Sequence, residues 1–172
     1  SMNFLTTTIF SYLLVFASLV SIGQHSSQFD PILDEIGEIQ VTQPDSALAL
    51  IQSIKSEVIE IDDKVALMRI YTFEGIDYYY KSDFDSATQK YFQALDLANE
   101  TDNVLHKGIV SNNLGSLYFD LKQYNKAQSY YDSAYVIMHK ANNVKWLSKI
   151  SGNSAGVYFM QGDLDRSIEL LE

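Results

Sequence analysis

Laid over itself with a shift of forty residues, this chain matches itself repeatedly. Tyr78 falls on Tyr118 and Tyr158, Tyr79 on Phe119 and Phe159, Phe84 on Tyr124 and Leu164, and Ala87 on Ala127 and Ser167. Tyr91 falls on Tyr131 and Leu171, Ala94 on Ala134, and a small residue recurs as Gly75, Gly115 and Ala155. One step upstream, Asp45-Ser46-Ala47 echoes Asp85-Ser86-Ala87, so a degenerate copy precedes the three clear ones. A fixed period of this length is the mark of a stack of like units, each burying its apolar face on the next.

Each unit reads as two helices. In the middle copy, Leu105 to Lys122 carries Leu105, Ile109, Val110, Leu114, Leu117, Tyr118 and Leu121 in steps of three and four, one helical stripe. That helix is expected to end near Lys122-Gln123. A second runs from about Asn125 to Lys140 with Ala127, Tyr130, Tyr131, Ala134, Ile137 and Met138 inward, and Asn142-Asn143 then supplies turn chemistry. The recurring small residue marks where a partner helix crosses, since a larger side chain would force the axes apart.

The pattern resembles the tetratricopeptide repeat. Leu114-Gly115, Tyr118, Ala127, Tyr131 and Ala134 stand in that family's order, and Gly75, Tyr78, Ala87, Tyr91 and Ala94 repeat it one copy earlier. Ala155 and Tyr158 continue it in the last copy. The departures are Glu74 and Ser154 at the Leu position, Tyr71, Ser111 and Ser151 at the leading Trp position, and no closing Pro. The period is forty rather than about thirty-four; the extra residues are read as longer helices and a roomier turn. The resemblance covers roughly Asp45 to Glu172 and implies an all-α fold, a right-handed superhelix of stacked antiparallel helix pairs. The chain divides accordingly into residues 1–23, a degenerate pair at 24–61, and repeats at 62–103, 104–143 and 144–172. The last breaks off inside its second helix, from which a longer protein carrying the output activity is expected.

Residues 1–29 contain no Asp, Glu, Lys or Arg, and Leu13 to Val20 is almost wholly apolar. Small residues at Ser21 and Gly23 fit a secretory signal cleaved before Gln24. An uncleaved membrane anchor over residues 4–22 is the alternative, and an ordinary buried helix a third. An ordered segment here is expected to rest in an apolar groove of its own or of a neighbouring molecule. The expected location is exported, periplasmic or membrane-anchored, with a cytoplasmic protein as the alternative.

The formal charge of −10 and the lack of any basic run argue against a nucleic-acid partner held through phosphates. With no Cys there is neither a thiolate metal site nor a cysteine nucleophile. His25, His106 and His139 are scattered, with no metal-binding spacing, and the last two are expected to be exposed or interhelical. Asp62-Asp63 and Asp83 with Asp85 fall at helix starts, where carboxylates cap. Gly152-xxx-Gly156 is read as a helix crossing. No phosphate-cradling loop or nucleophile elbow occurs, so no enzyme, cofactor or metal site is expected within these residues.

What remains is a surface. By repeat phase, the resemblance puts Arg69, Thr72, Phe73, Ile76, Tyr79 and Tyr80 on the concave side in the first copy. The second contributes Ile109, Asn112, Asn113, Ser116, Phe119 and Asp120, and the third Lys149, Gly152, Asn153, Gly156, Phe159 and Met160. Two readings of the column Tyr79, Phe119 and Phe159 stay open: contact area for a peptide, or packing between repeats. Asn side chains can hold an extended backbone by donor and acceptor together, and Arg69 and Lys149 would favour acidic residues. Thr72 and Ile76 stand where carboxylate-binding relatives carry a clamp, so that mode is not expected. The first expectation is a non-catalytic scaffold binding a protein or peptide, resembling the N-terminal sensing region of bacterial sensor histidine kinases or helix-turn-helix regulators. The second is a stand-alone assembly module, self-associating through the open C-terminal face or the N-terminal helix. A glycan-binding role would need a lipidated Cys and long inserted loops, and the sequence has neither.

Overall fold

The computed structural model describes residues 27–171, so every expectation for the signal or anchor segment lies outside the described residues. Eight helices follow one another there: α1 (Asp30–Ile39), α2 (Pro44–Glu60), α3 (Lys64–Tyr80), α4 (Phe84–Glu100), α5 (Val104–Asp120), α6 (Tyr124–Lys140), α7 (Val144–Gln161) and α8 (Leu164–Glu169). They form a solenoid of antiparallel pairs of the tetratricopeptide type. No described helix is long and apolar enough to cross a membrane.

One turn, used six times, sets the architecture. Asp62, Ser82, Asp102, Lys122, Asn142 and Gly162, spaced by twenty, all have left-handed backbones, with φ between 51° and 83°. Around Ser82 its N–H donates to the Tyr79 carbonyl at 2.9 Å, and the Asp83 N–H donates to Tyr78 at 3.0 Å. This is the Schellman pairing that closes a helix C-terminus. Asp83 then starts the next helix, its carboxylate accepting from the Ser86 N–H at 3.1 Å. Asp63, Asn103, Asn143 and Asp163 cap their helices alike, and Gln123 makes no such bond. One residue thus finishes one helix and begins the next. The roomier turn expected from the sequence is not found; α2 to α6 have seventeen residues each, joined by three-residue turns.

The second helix of each pair buries one narrow stripe, always in the same phase. Ala47, Ile51, Ile54 and Val58 on α2 correspond to Ala87, Tyr91, Ala94 and Ala98 on α4, and to Ala127, Tyr131, Ala134 and Met138 on α6. First helices are enclosed on more than one side. On α5, Gly108, Val110, Ser111, Asn112, Leu114, Gly115, Leu117 and Tyr118 are all buried. The single stripe read from the sequence is therefore too narrow, and its ends, Leu105 and Leu121, are exposed.

The residue pairs that repeat have a steric cause. A Cβ on Gly75 would lie 2.5 Å from Tyr91 Cε1, and one on Gly115 would lie 2.5 Å from Tyr131 Cε1. Each tyrosine ring rests on the bare backbone of the opposite helix, and Ala155 stands at that position only where Leu171 replaces the tyrosine. Tyr118 is buried beneath Tyr130 (ring centroids 5.4 Å apart, interplanar angle 8°) and under the Lys126 ammonium at 3.8 Å. Tyr78 and Tyr158 are half-buried, the latter with Arg166 over its ring. Glu74, at the usual Leu position, receives Lys55 from α2 and Lys90 from α4, and both ammonium groups also lie over Tyr71. An ionic clasp replaces an apolar contact there.

Candidate functional site

Helices α1, α3, α5 and α7 lie side by side along one face, and between them runs a groove of about 870 Å³. Of the residues expected there, Arg69, Thr72, Phe73, Ile76, Tyr79, Tyr80, Asn112, Asn113, Ser116, Lys149 and Asn153 line it. Phe119 lines an adjoining hollow of about 290 Å³ with Tyr79, Asp120, Gly152, Asn153 and Gly156. Phe159 lies outside both and is 61% exposed.

Position on the concave side does not by itself make a side chain available. Arg69 donates to Asp30 at 3.0 Å and to Asp34 at 2.6 Å, both on α1, so its charge is already answered. Thr72 is buried, and its hydroxyl donates to the Met68 carbonyl at 3.0 Å. Asn112 is buried as well, its carbonyl oxygen accepting from Asn153 Nδ2 at 2.9 Å, a strut between α5 and α7. Ser116 accepts from the Tyr131 hydroxyl at 3.2 Å. Asn113 keeps most of its capacity, with one weak contact to Asn112 at 3.5 Å.

The aromatic column leans on the following repeat. The Tyr79 hydroxyl donates to Asp120 of α5, and burial followed by this bond pushes its pKa well above the usual phenol value. Phe119 lies within van der Waals reach of a Cβ built on Gly156, at 3.9 Å. Gly152 meets nothing within 4 Å and faces open groove, so the reading of this glycine pair as a helix crossing is overturned for Gly152.

Other residues complete the surface. Asp34 and Glu38 of α1, and Gln40 and Val41 just after it, line the groove, with His106, Lys145 and Trp146. His106 and Trp146 stand forty residues apart and three before Ile109 and Lys149. Carrying the repeat phase one helical turn further back would have found them. His106 Nε2 lies 2.8 Å from Thr72 Oγ1. Since the Thr72 proton goes to Met68, Nε2 carries the hydrogen and donates. Burial, with Arg69 adding to it, lowers the His106 pKa to about 4. Lys149 lies with its ammonium 4.7 Å from the Trp146 ring centroid, and burial, then the neighbouring Lys145, lowers its pKa. Among the described residues no three His, Asp or Glu side chains are placed to hold a metal ion.

Such a surface offers aromatic and aliphatic area beside amides and charges of both signs, the chemistry of recognition surfaces. Residues 107–172 match the tetratricopeptide repeat family, whose repeats generally act as non-catalytic scaffolds for protein–protein interaction. No curated protein matches the chain. Among solved structures, the crystal structure of BtubC (BKLC) from P. vanneervenii is similar, with a TM-score of 0.59 and 16% identity over 82% of this chain and 67% of that one. The chain is thus similar to tetratricopeptide repeat proteins, with the family's repeat matched over residues 107–172 and a helical-repeat fold shared over most of its length.

Proposed function

We propose that the concave groove binds an extended segment of a protein partner. The observation that carries this reading is the chain's single tryptophan, Trp146, held in the groove with Phe73, Ile76, Tyr80 and the amide of Asn113. Aromatic and aliphatic surface supplies burial energy, and a side-chain amide can satisfy the donor and the acceptor that an extended backbone presents. The finer role is an exported or membrane-anchored sensing or docking region of a larger signalling protein. The uncharged residues 1–29, apolar from Leu13 to Val20, support that placement.

Trp146 makes the test direct. Peptides selected from a displayed random library are titrated into the full chain while its emission is followed. Binding that shifts Trp146 fluorescence and weakens about fivefold or more in Asn113→Ala, at unchanged helicity, is the expected result. Selected peptides that bind without moving the emission and ignore Asn113→Ala would remove the groove from consideration. A second reading, self-association, is favoured by the exposed Phe159, Met160, Leu164, Ile168 and Leu171 at the end of the stack. Sedimentation of wild type against Leu164→Lys tests it, with a monomer at all concentrations counting against it.

A further inference from the structure

The groove is electrically bipolar along the stack. At the α1 end, Asp30, Asp34 and Glu38 outnumber the one cation, Arg69, which is already paired to the first two. At the α7 end Lys145 and Lys149 line the groove together. Neither forms an ion pair among the described residues, although acidic side chains outnumber basic ones in the chain by twenty-two to twelve. Between the poles lie two neutral groups, the His106 imidazole and the Asn113 amide, while the Trp146 ring stands at the α7 pole under Lys149.

Geometry turns this into a reading frame. From α1 across α3 and α5 to α7 are three helix-to-helix steps of about 8–10 Å, so the poles lie roughly 25 Å apart. That exceeds the Debye length of about 10 Å at 0.1 M salt, so a bound chain feels each pole separately. An extended peptide advances about 3.3 Å per residue and covers the span in roughly seven to nine residues.

We propose that the groove selects by charge order: its ligand is an extended peptide segment with basic residues over α1 and acidic residues over α7, about seven to nine residues apart, joined by an uncharged stretch. This rests on the peptide-groove reading above. The acidic preference expected from Arg69 and Lys149 then holds at the α7 end alone, because Arg69 is spent on α1.

The probes are fluorescein-labelled peptides of about nine residues and one composition, two lysines, two glutamates and a Ser/Asn/Leu remainder. In one set the charges are segregated to opposite ends, in both chain directions; in the other they alternate. The better segregated peptide should bind the full chain about fivefold tighter than the alternating one at 50 mM salt, and the gap should close at 500 mM. Lys145→Glu with Lys149→Glu, both on α7, should erase the advantage of the segregated peptide over the alternating one, with helicity unchanged. Equal binding of segregated and alternating peptides, weakened together by Asn113→Ala, would overturn charge order and leave the groove standing. No binding by any probe, with Trp146 emission unmoved, would overturn both.

Discussion

Replacing glycine by alanine in two helices of the same solenoid should move stability in opposite directions. Within an exposed helix the exchange gains about 1 kcal/mol, because glycine loses the most backbone entropy on folding. Gly152 on α7 receives that gain undiminished, since an added Cβ meets nothing within 4 Å. At Gly115 on α5 the same Cβ would lie 2.5, 2.6 and 3.0 Å from Cε1, Cδ1 and Cζ of Tyr131. The ring must withdraw by about 1 Å to reach van der Waals distance. It cannot do so freely: Tyr131 is 2% exposed and its hydroxyl is bonded to Ser116. Overpacking of this kind costs about 1–3 kcal/mol, and a ring pinned at its far end belongs at the upper limit. Set against the propensity gain, Gly115→Ala should lose about 2 kcal/mol while Gly152→Ala gains about 0.5–1 kcal/mol. Urea unfolding followed by circular dichroism at 222 nm measures both. A companion change separates clash from other causes: Tyr131→Leu, which copies the Ala155–Leu171 combination of the last repeat, should make Gly115→Ala much less harmful than it is in the wild type. Equal stabilisation at both glycines, or additive losses in the Gly115→Ala/Tyr131→Leu pair, would refute the contact as the reason for the repeat's small residue.

Gln123→Asp should supply the side-chain cap that α6 lacks and raise stability by about 1 kcal/mol, read from the same urea transition. His106 should make the fold acid-sensitive. Its folded pKa of about 4 lies below the usual 6.5, so the unfolded chain takes up the proton first and stability falls as pH drops through that window. The loss should reach on the order of 2 kcal/mol by pH 5, and His106→Gln should flatten the dependence when unfolding is compared at pH 7 and pH 5. Glu74→Gln should lose about 2 kcal/mol, because it leaves the Lys55 and Lys90 ammonium groups close together over Tyr71 without their shared counter-charge, and raised salt should recover part of the loss. A Glu74→Gln protein as stable as wild type would mean the clasp is merely tolerated.

Periodicity made the stacked pairs and the small residue at each helix crossing readable from the residues, and the repeat resemblance supplied the groove positions. Contacts between repeats were not readable in that way. Arg69 reads as a free cation until α1 is in place, and α1 belongs to the stretch where the repeat is most degraded, so nothing in the pattern announces that Asp30 and Asp34 reach it. Asn112 and Asn113 are adjacent and chemically alike, yet a step of about 100° around the helix buries the first beneath Asn153 and leaves the second at the groove. Gly152 and Gly115 look equivalent as small residues on first helices. What separates them is whether a tyrosine arrives from the other side, and that depends on the register of two helices rather than on either sequence.

The equal spacing of the left-handed turn residues makes the solenoid modular in a discrete way. Because from α2 to α7 a helix plus its turn takes twenty residues, the chain can gain or lose forty there and return every side chain to the same face. A change of twenty would also leave every turn intact, but it would exchange first helices for second ones, moving Asn113 and Lys149 from the groove to the outer wall. Natural or engineered variation in length should therefore come in whole pairs: an added pair would lengthen the groove by one more strip of contacts and leave the existing ones in place.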